Sequence, residues 1–487
     1  MKKTFVLLLG MLFVLGFVAN SFAINADIPS ETQAAVAKGT TQVTLDGELR
    51  VRGWLRDNVG NALPTNQSTD AFYDSRVRLG VEAKVTKGTT GYVQLESGSV
   101  PATDTYVWGS GAATTSTGNL TVNDKPNTTL NILQAWILHT GSGLLGVPAG
   151  VKVGHMPLAL GQKQFLDHTK YGDDALVFFT DPVKGLHIGV LTTKFNEGRT
   201  VVSNDVNGYV GVVTYKWDKD NTIGINYALV QSSDTPVPGT VINALHIATT
   251  TNAVVFAADN GVDFQNLGIH ANGLISGLSY EVELDTQFGN ILRGSALEQK
   301  MGGYAALVNL GYKLDPVNIR LAFAYGSGDK NGLDGKVKEF QTTMGNDLHY
   351  TFIYEYLMKT AAGLQVIDAS HSGKFAYSSK TGVGSGISTG IANTTYYRLG
   401  FDYAPIKDLT ASLDGFILRA SQTAGTVSKS IGSEVDLKIA YKIDRNLAYG
   451  FNAGYFSTGN FYNTSGLVTE AAKKNVTALM HSLTLNF

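Results

Sequence analysis

From residue 41 onward, apolar and polar residues alternate with a period of two. In the run 41–56, Val43, Leu45, Leu49, Val51 and Leu55 share one face. Thr44, Asp46, Glu48, Arg50, Arg52, Trp54 and Arg56 share the other. Successive side chains of a strand point to opposite sides, so the run separates grease from charge. Val77, Leu79, Val81, Ala83 and Val85 oppose Arg76, Arg78, Glu82 and Lys84 in the same way. The dyad recurs at Val282 and Leu284 against Glu281, Glu283 and Asp285. It recurs again at Val317, Ile319, Leu321 and Phe323 against Asn318 and Arg320. A further repeat sets Val435, Leu437, Ile439 and Tyr441 against Glu434, Asp436, Lys438 and Lys442.

Connection lengths alternate as well. Tight connections fall near 87–88, 141–149, 182–184, 218–221, 273–276, 314–316, 404–407 and 444–445. Longer polar stretches lie near 57–71, 98–128, 157–174, 196–207, 231–261, 289–300, 326–392, 421–431 and 457–474. Eight short and nine long connections join eighteen strands, with both ends of the chain on the short-turn rim. This predicts an all-β fold: a transmembrane antiparallel β-barrel with short periplasmic turns and long extracellular loops. Hydrocarbon offers no hydrogen-bond partners, so the sheet must close. Apolar residues then meet lipid and charged residues a watery lumen. Tyr215, Trp217, Tyr312, Tyr397, Tyr403, Tyr441, Tyr449 and Tyr455 are candidates for the interfacial aromatic belts. The competing fold, a soluble β-sandwich with one wet face, accounts for neither the alternating loops nor the leader described next.

Residues 1–23 read as a signal peptide: Lys2 and Lys3, an apolar stretch over 5–18, then Ser21-Phe22-Ala23. Residues 24–40 read as a periplasmic segment. Ser30 and Gln33 have capping-box spacing, and Ala34, Ala35 and Ala37 favour a short helix over 27–40. Residues 41–487 form the barrel. The 487 residues are 43% hydrophobic and 16% charged, with 55 Gly and no Cys. That excludes a disordered chain, a disulfide scaffold, Cys-ligated metal and covalent haem. Net charge is −2, and nothing points to nucleic acid.

The residues expected to line the pore are seven bases and eight acids. The bases are Arg50, Arg52, Arg56, Arg76, Arg78, Lys84 and Arg320. The acids are Asp46, Glu48, Glu82, Glu281, Glu283, Asp285, Glu434 and Asp436. The first two strands hold six of the bases, and the strands near 280 and 435 hold five of the acids. Facing one another, these would set a transverse field across a constriction. Arg50, Arg52, Arg76 and Arg78 are candidates for anion preference; the alternative is that they neutralise Glu48 and Glu82 in a structural network. The segment 326–392 is too long for an ordinary connection. Its run 349–356 suits a strand extension, a lid folded into the mouth or an exposed loop. Asp329, Asn331 and Asp334 only approximate a calcium loop, because Leu333 replaces an oxygen ligand, so no metal site and no cofactor is assigned. No H-x-x-x-H, Gly-x-Ser-x-Gly or phosphate loop appears, and no enzyme activity is expected. Leu479, Leu483, Leu485 and Phe487 share one face of the last strand. Its terminal Phe487 looks like the signal read by the outer-membrane barrel assembly machinery.

The chain thus resembles Gram-negative outer-membrane porins, and more narrowly the alginate-export-like barrels. Two stretches carry the narrower likeness. One is VKVGHMPLALGQKQFLD (151–167), with His155 and Met156 where that family is expected to carry Arg and Gln. The other is FAYGSGDKNGLDGKVKEF (323–340). The resemblance implies an outer-membrane channel. Alginate transport would imply a strongly basic lumen, which the mixed charges do not supply. The leading expectation is passive diffusion of small hydrophilic solutes or ions. Alternatives are an oligosaccharide or acidic-polysaccharide channel, a sheath for a multihaem electron conduit, and a surface adhesin or receptor. Expected partners are the outer-membrane lipid bilayer, the assembly machinery and the solutes; a homo-oligomer is left open.

Overall fold

The alternation over Thr41–Asp57 becomes a strand of 17 residues (β1). In the computed structural model it opens a barrel whose other strands are β2 (Thr69–Thr86), β3 (Thr89–Gly98), β4 (Thr129–Gly141), β5 (Ala149–Met156), β6 (Asp173–Val183), β7 (Leu186–Asn196), β8 (Val206–Lys216) and β9 (Thr222–Ser232). The second half comprises β10 (Gly261–Ile275), β11 (Leu278–Arg293), β12 (Tyr304–Leu314), β13 (Val317–Gly326), β14 (Thr394–Ile406), β15 (Leu409–Ala420), β16 (Ser430–Lys442), β17 (Leu447–Thr458) and β18 (Val476–Asn486). The structure describes residues 35–38, 41–59, 69–98, 105–108, 129–143, 146–196, 206–232, 261–293, 299–330, 335–342, 350–358, 390–423, 428–461 and 474–487.

Each strand pairs antiparallel with the next, and β1 pairs with β18 from Glu48↔Asn486 to Asp57↔Thr477. The sheet therefore closes, in the expected order and with the expected strand number. Closure leaves no row of unpaired backbone groups in hydrocarbon. The side chains divide as the dyad requires. Leu45, Leu49 and Leu55 point outward and are exposed, whereas Arg52 and Trp54 are buried inside. Leu284 and Val435 are half exposed on the outside, while their neighbours Glu283 and Glu434 are each 1% exposed within. Tyr215, Trp217, Tyr312 and Tyr403 stand exposed near the short-turn rim, and Tyr397 and Tyr455 nearer the long-loop ends. Tyr441 and Tyr449 are only half exposed. A closed barrel with an apolar exterior and a polar interior spans the outer membrane.

The seam carries two fitted contacts. Gly47 and Gly53 are outward positions of β1, and a Cβ there would strike the rings of Phe487 and His481. The main chains of Gly47 and Phe487 exchange hydrogen bonds at 2.8 and 3.1 Å. Below this point β1 outruns β18. Residues Ala35–Lys38 pair antiparallel with the remaining β1 edge, from Ala35↔Thr44 to Lys38↔Thr41. They form a strand, not the expected helix: local alanine propensity yields to an open sheet edge. Residues 1–34, including the leader and the start of that helix, lie outside the described residues.

Candidate functional site

Three segments fold inward. The β5–β6 connection carries Leu160, Phe165 and Leu166 into the interior. Phe165 packs on Phe264 of β10, ring centres 5.8 Å apart. Residues 335–342, in the β13–β14 connection, reach β11. There Gln287 donates Nε2–H to the Gln341 carbonyl at 2.7 Å and accepts the Gln341 N–H at 2.9 Å. Further along the same connection, Phe352–Met358 forms one π-helical turn rather than a strand extension. Phe352 stacks on Trp54 of β1, Tyr354 meets Phe456 of β17, and Tyr350 stacks on Tyr396 of β14. Apolar side chains from these segments share one buried cluster with the inner wall.

The predicted acids hold two of these segments. Glu434 accepts the N–H groups of Ile353 at 2.5 Å and Tyr354 at 2.9 Å. Asp436 accepts the Phe352 N–H at 3.0 Å. Glu283 accepts the N–H groups of Gln162 and Gln164 at 2.9 and 3.2 Å. A carboxylate suits this role because ionised acceptors make the stronger hydrogen bonds. The expectation of solvent-facing pore acids is corrected here. Glu283, Asp285 and Glu434 are buried behind inward segments, because each strand supplies only half of an environment and the folded-in loop the rest. Glu281 is exposed and accepts from Asn309 at 2.9 Å.

The arginines of β1 and β2 occupy one wall and engage acids across the strands. Arg52 binds Asp74 through two nitrogens at 2.8 and 2.9 Å, and Trp54 Nε1 donates to the same carboxylate at 2.9 Å. Arg76 grips Glu48 at 2.7 and 2.9 Å. Arg78 binds Glu96 at 2.5 Å. Arg56 reaches Asp70 at 3.3 Å and lies over the Phe72 ring. Arg50 stands directly opposite Arg76 in the register. Near the short-turn rim Lys84 pairs with Glu82 at 2.8 Å, and Tyr92 donates to Asp46 at 3.1 Å. Arg320 on β13 bridges Asp402 at 2.7 Å and Asp414 at 3.0 Å. Sequence reasoning missed Asp74, Glu96, Asp402 and Asp414. Each is fixed by cross-strand register, which no local spacing reports. Glu281, Glu283 and Asp285 lie on β11, about half the barrel away from β1 and β2. Glu434 and Asp436 lie on β16, close to β1 around the closed sheet, and so on the arginines' side.

Solved structures with this architecture include outer-membrane porins of Pseudomonas aeruginosa and Acinetobacter baumannii, at low sequence identity. The crystal structure of Pseudomonas aeruginosa OccK5 (OpdH) matches with a TM-score of 0.50 at 12% identity, covering 91% of this chain and 98% of that one. Acinetobacter baumannii OccAB2 matches with a TM-score of 0.52 at 9% identity and the same coverage. Pseudomonas aeruginosa OccK1 (OpdK) matches with a TM-score of 0.50 at 8% identity, again with the same coverage. The fold is that of the outer-membrane porins. No protein-family model and no curated protein matches the sequence.

In the stretch that carried part of the narrower likeness, His155 bonds Asp174 at 2.7 Å and the Tyr171 carbonyl at 2.8 Å. It thereby closes the base of the β5–β6 connection. Asp329 accepts the Lys338 N–H at 3.0 Å, a turn contact. Asn331 and Asp334 lie outside the described residues.

Proposed function

We propose that this protein is a passive outer-membrane channel for small hydrophilic solutes or ions. The observation that carries the reading is the inner wall. It is ionic from strand to strand, closed against lipid, and narrowed by backbone segments that its own acids hold in place. Such a wall favours solutes that hydrogen-bond and penalises apolar ones. Pairing of the arginines with Asp74, Glu48 and Glu96 tempers attraction for polyanions. An acidic-polysaccharide channel of the alginate-export kind therefore has less support, and rests on two short stretches of sequence. The sheath reading has less again, because Phe352, Ile353 and Tyr354 already pack the interior. The proposed role involves no bond-making, so no residue is assigned to catalysis and no cofactor to the lumen.

Single-channel recording of the refolded mature protein in planar bilayers tests the reading. Stepwise conductance with weak ion selectivity is expected. A barrel that inserts but carries no current would overturn it. Saturable block by a uronic-acid oligomer, absent with neutral sugars, would favour the polysaccharide channel.

A further inference from the structure

Where the β5–β6 connection meets the wall, two carboxylates are buried together. Glu283 and Asp285 are consecutive inward residues of β11, 1% and 4% exposed. Asp285 Oδ1 accepts from Asn266 at 2.8 Å, and Glu283 Oε2 takes the two loop N–H groups. Asp285 Oδ2 and Glu283 Oε1 have no protein partner. Neither acid is in an ion pair with a lysine or arginine among the described residues.

An independent observation comes from β9. Asn226 is 1% exposed, and neither its Oδ1 nor its Nδ2 has a protein partner. In the register Asn226 stands opposite Gly268, and Gly268 opposite Asp285. Directly paired residues face the same side, so all three point inward. Gly268 has no side chain, and the Asn226 amide and the Asp285 carboxylate close over its Cα. A methyl group there would stand 2.7 Å from both Asn226 Oδ1 and Asp285 Oδ1, so these oxygens are at most twice that apart. Gly161 of the loop forms the roof, at φ +54°. A Cβ at Gly161 would fall 1.8 Å from Glu283 Oε1 and 3.4 Å from Asn226 Nδ2. His270 lies opposite Glu283, leans over Gly224 and also leaves Nδ1 without a protein partner.

The Asn226 amide thus lies within reach of both acids: beside Asp285 over Gly268, and across Gly161 from Glu283 Oε1, at most the sum of those two distances from it. Either orientation of the amide gives the cluster one oxygen. A proton shared between the carboxyls would satisfy those two groups and leave the Asn226 oxygen without a donor. A cation satisfies all three and neutralises both charges, which otherwise could not be buried together cheaply. Oxygen donors on flexible side chains, at a site of two negative charges, suit Ca2+ at about 2.3–2.6 Å better than Mg2+, which demands a stricter octahedron. We propose that Asn226, Glu283 and Asp285 form a binding site for a divalent hard cation, Ca2+ by preference. Water completes the ligand set, since no group of three or more His, Asp or Glu side chains gathers at metal distances among the described residues. The ion fastens the loop to the wall through Glu283, whose second oxygen holds Gln162 and Gln164.

The test uses the refolded full chain in detergent free of lipopolysaccharide, stripped with a chelator and dialysed against radioactive Ca2+. Heat-modifiable gel migration verifies folding of each variant. One ion per barrel is expected. Affinity should fall at least tenfold in Asp285→Asn and in Gly268→Ala, which keeps every ligand residue but sets a methyl against the Asn226 and Asp285 oxygens. Glu82→Gln, at a rim acid, should bind as the parent does. No bound ion, or equal binding by the parent and folded Gly268→Ala, overturns the site. Because binding is read without current, its failure would leave the channel reading standing.

Discussion

The carboxylate of Glu434, on β16, accepts the backbone N–H of Tyr354 at 2.9 Å from within the barrel. A side chain of the wall thereby fixes the main chain of the connection between β13 and β14. Glu434→Gln keeps the shape but replaces one acceptor oxygen with an amide that must face an N–H. Hydrogen bonds to charged groups contribute about 1.5–3 kcal/mol each. The π-helical turn should loosen by that order, and single-channel conductance should rise or become noisy. Unchanged current from a folded variant would show that this turn does not narrow the path.

Arg78 and Glu96 form a pair whose two members should act oppositely on selectivity. Neutralising Arg78 with Gln leaves an extra negative charge on the wall; neutralising Glu96 with Gln leaves an extra positive one. In a salt gradient, the reversal potential should move toward cation preference for the first and anion preference for the second. Both shifts should shrink at high ionic strength, because the Debye length falls to about 3 Å at 1 M. Potentials that do not move would place this pair in the scaffold alone.

Trp54 reports on the inward turn. The Arg52 guanidinium lies over its ring, 5.1 Å from the centre, and the Phe352 ring stacks on it at 6.2 Å. Phe352→Ala removes a buried ring, a change that costs about 3–5 kcal/mol in well-packed cores. Quenching of Trp54 by acrylamide should increase, taken as the difference from matched Trp54→Phe proteins. If the accessibility of Trp54 is unaltered, the turn is held by Glu434 and Asp436 without help from the stack.

Gly47 leaves room for the Phe487 ring on the outer face of the seam. Gly47→Val should displace the ring and destabilise the folded barrel by about 1–3 kcal/mol, the usual cost of overpacking. A double-mutant cycle with Phe487→Ala, read by urea unfolding from vesicles, should be strongly non-additive. Additive losses would mean that the two residues act separately.

Strand number, closure and the choice of outward face were legible in the chain, because each rests on one local rule. Val43, Leu45 and Leu49 had to meet lipid once Glu48 and Arg50 alternated with them, and a sheet in hydrocarbon had to close. The arginine wall was legible as residues, but not as pairs. Asp74 sits beside Arg52 only because β1 and β2 align in a single register.

What the sequence determined by itself was periodicity: a property of neighbours on one strand, set by backbone geometry. The tertiary structure alone decided which acids anchor loops, which arginines share a carboxylate, and that Asn226 opens onto Asp285 across Gly268. Those contacts join residues tens to hundreds of positions apart. Register and loop path fix them, and alternation along a single strand encodes neither. Residues 35–38 show the same limit in small: alanines suited to a helix became a strand because an unpaired edge of β1 lay within reach.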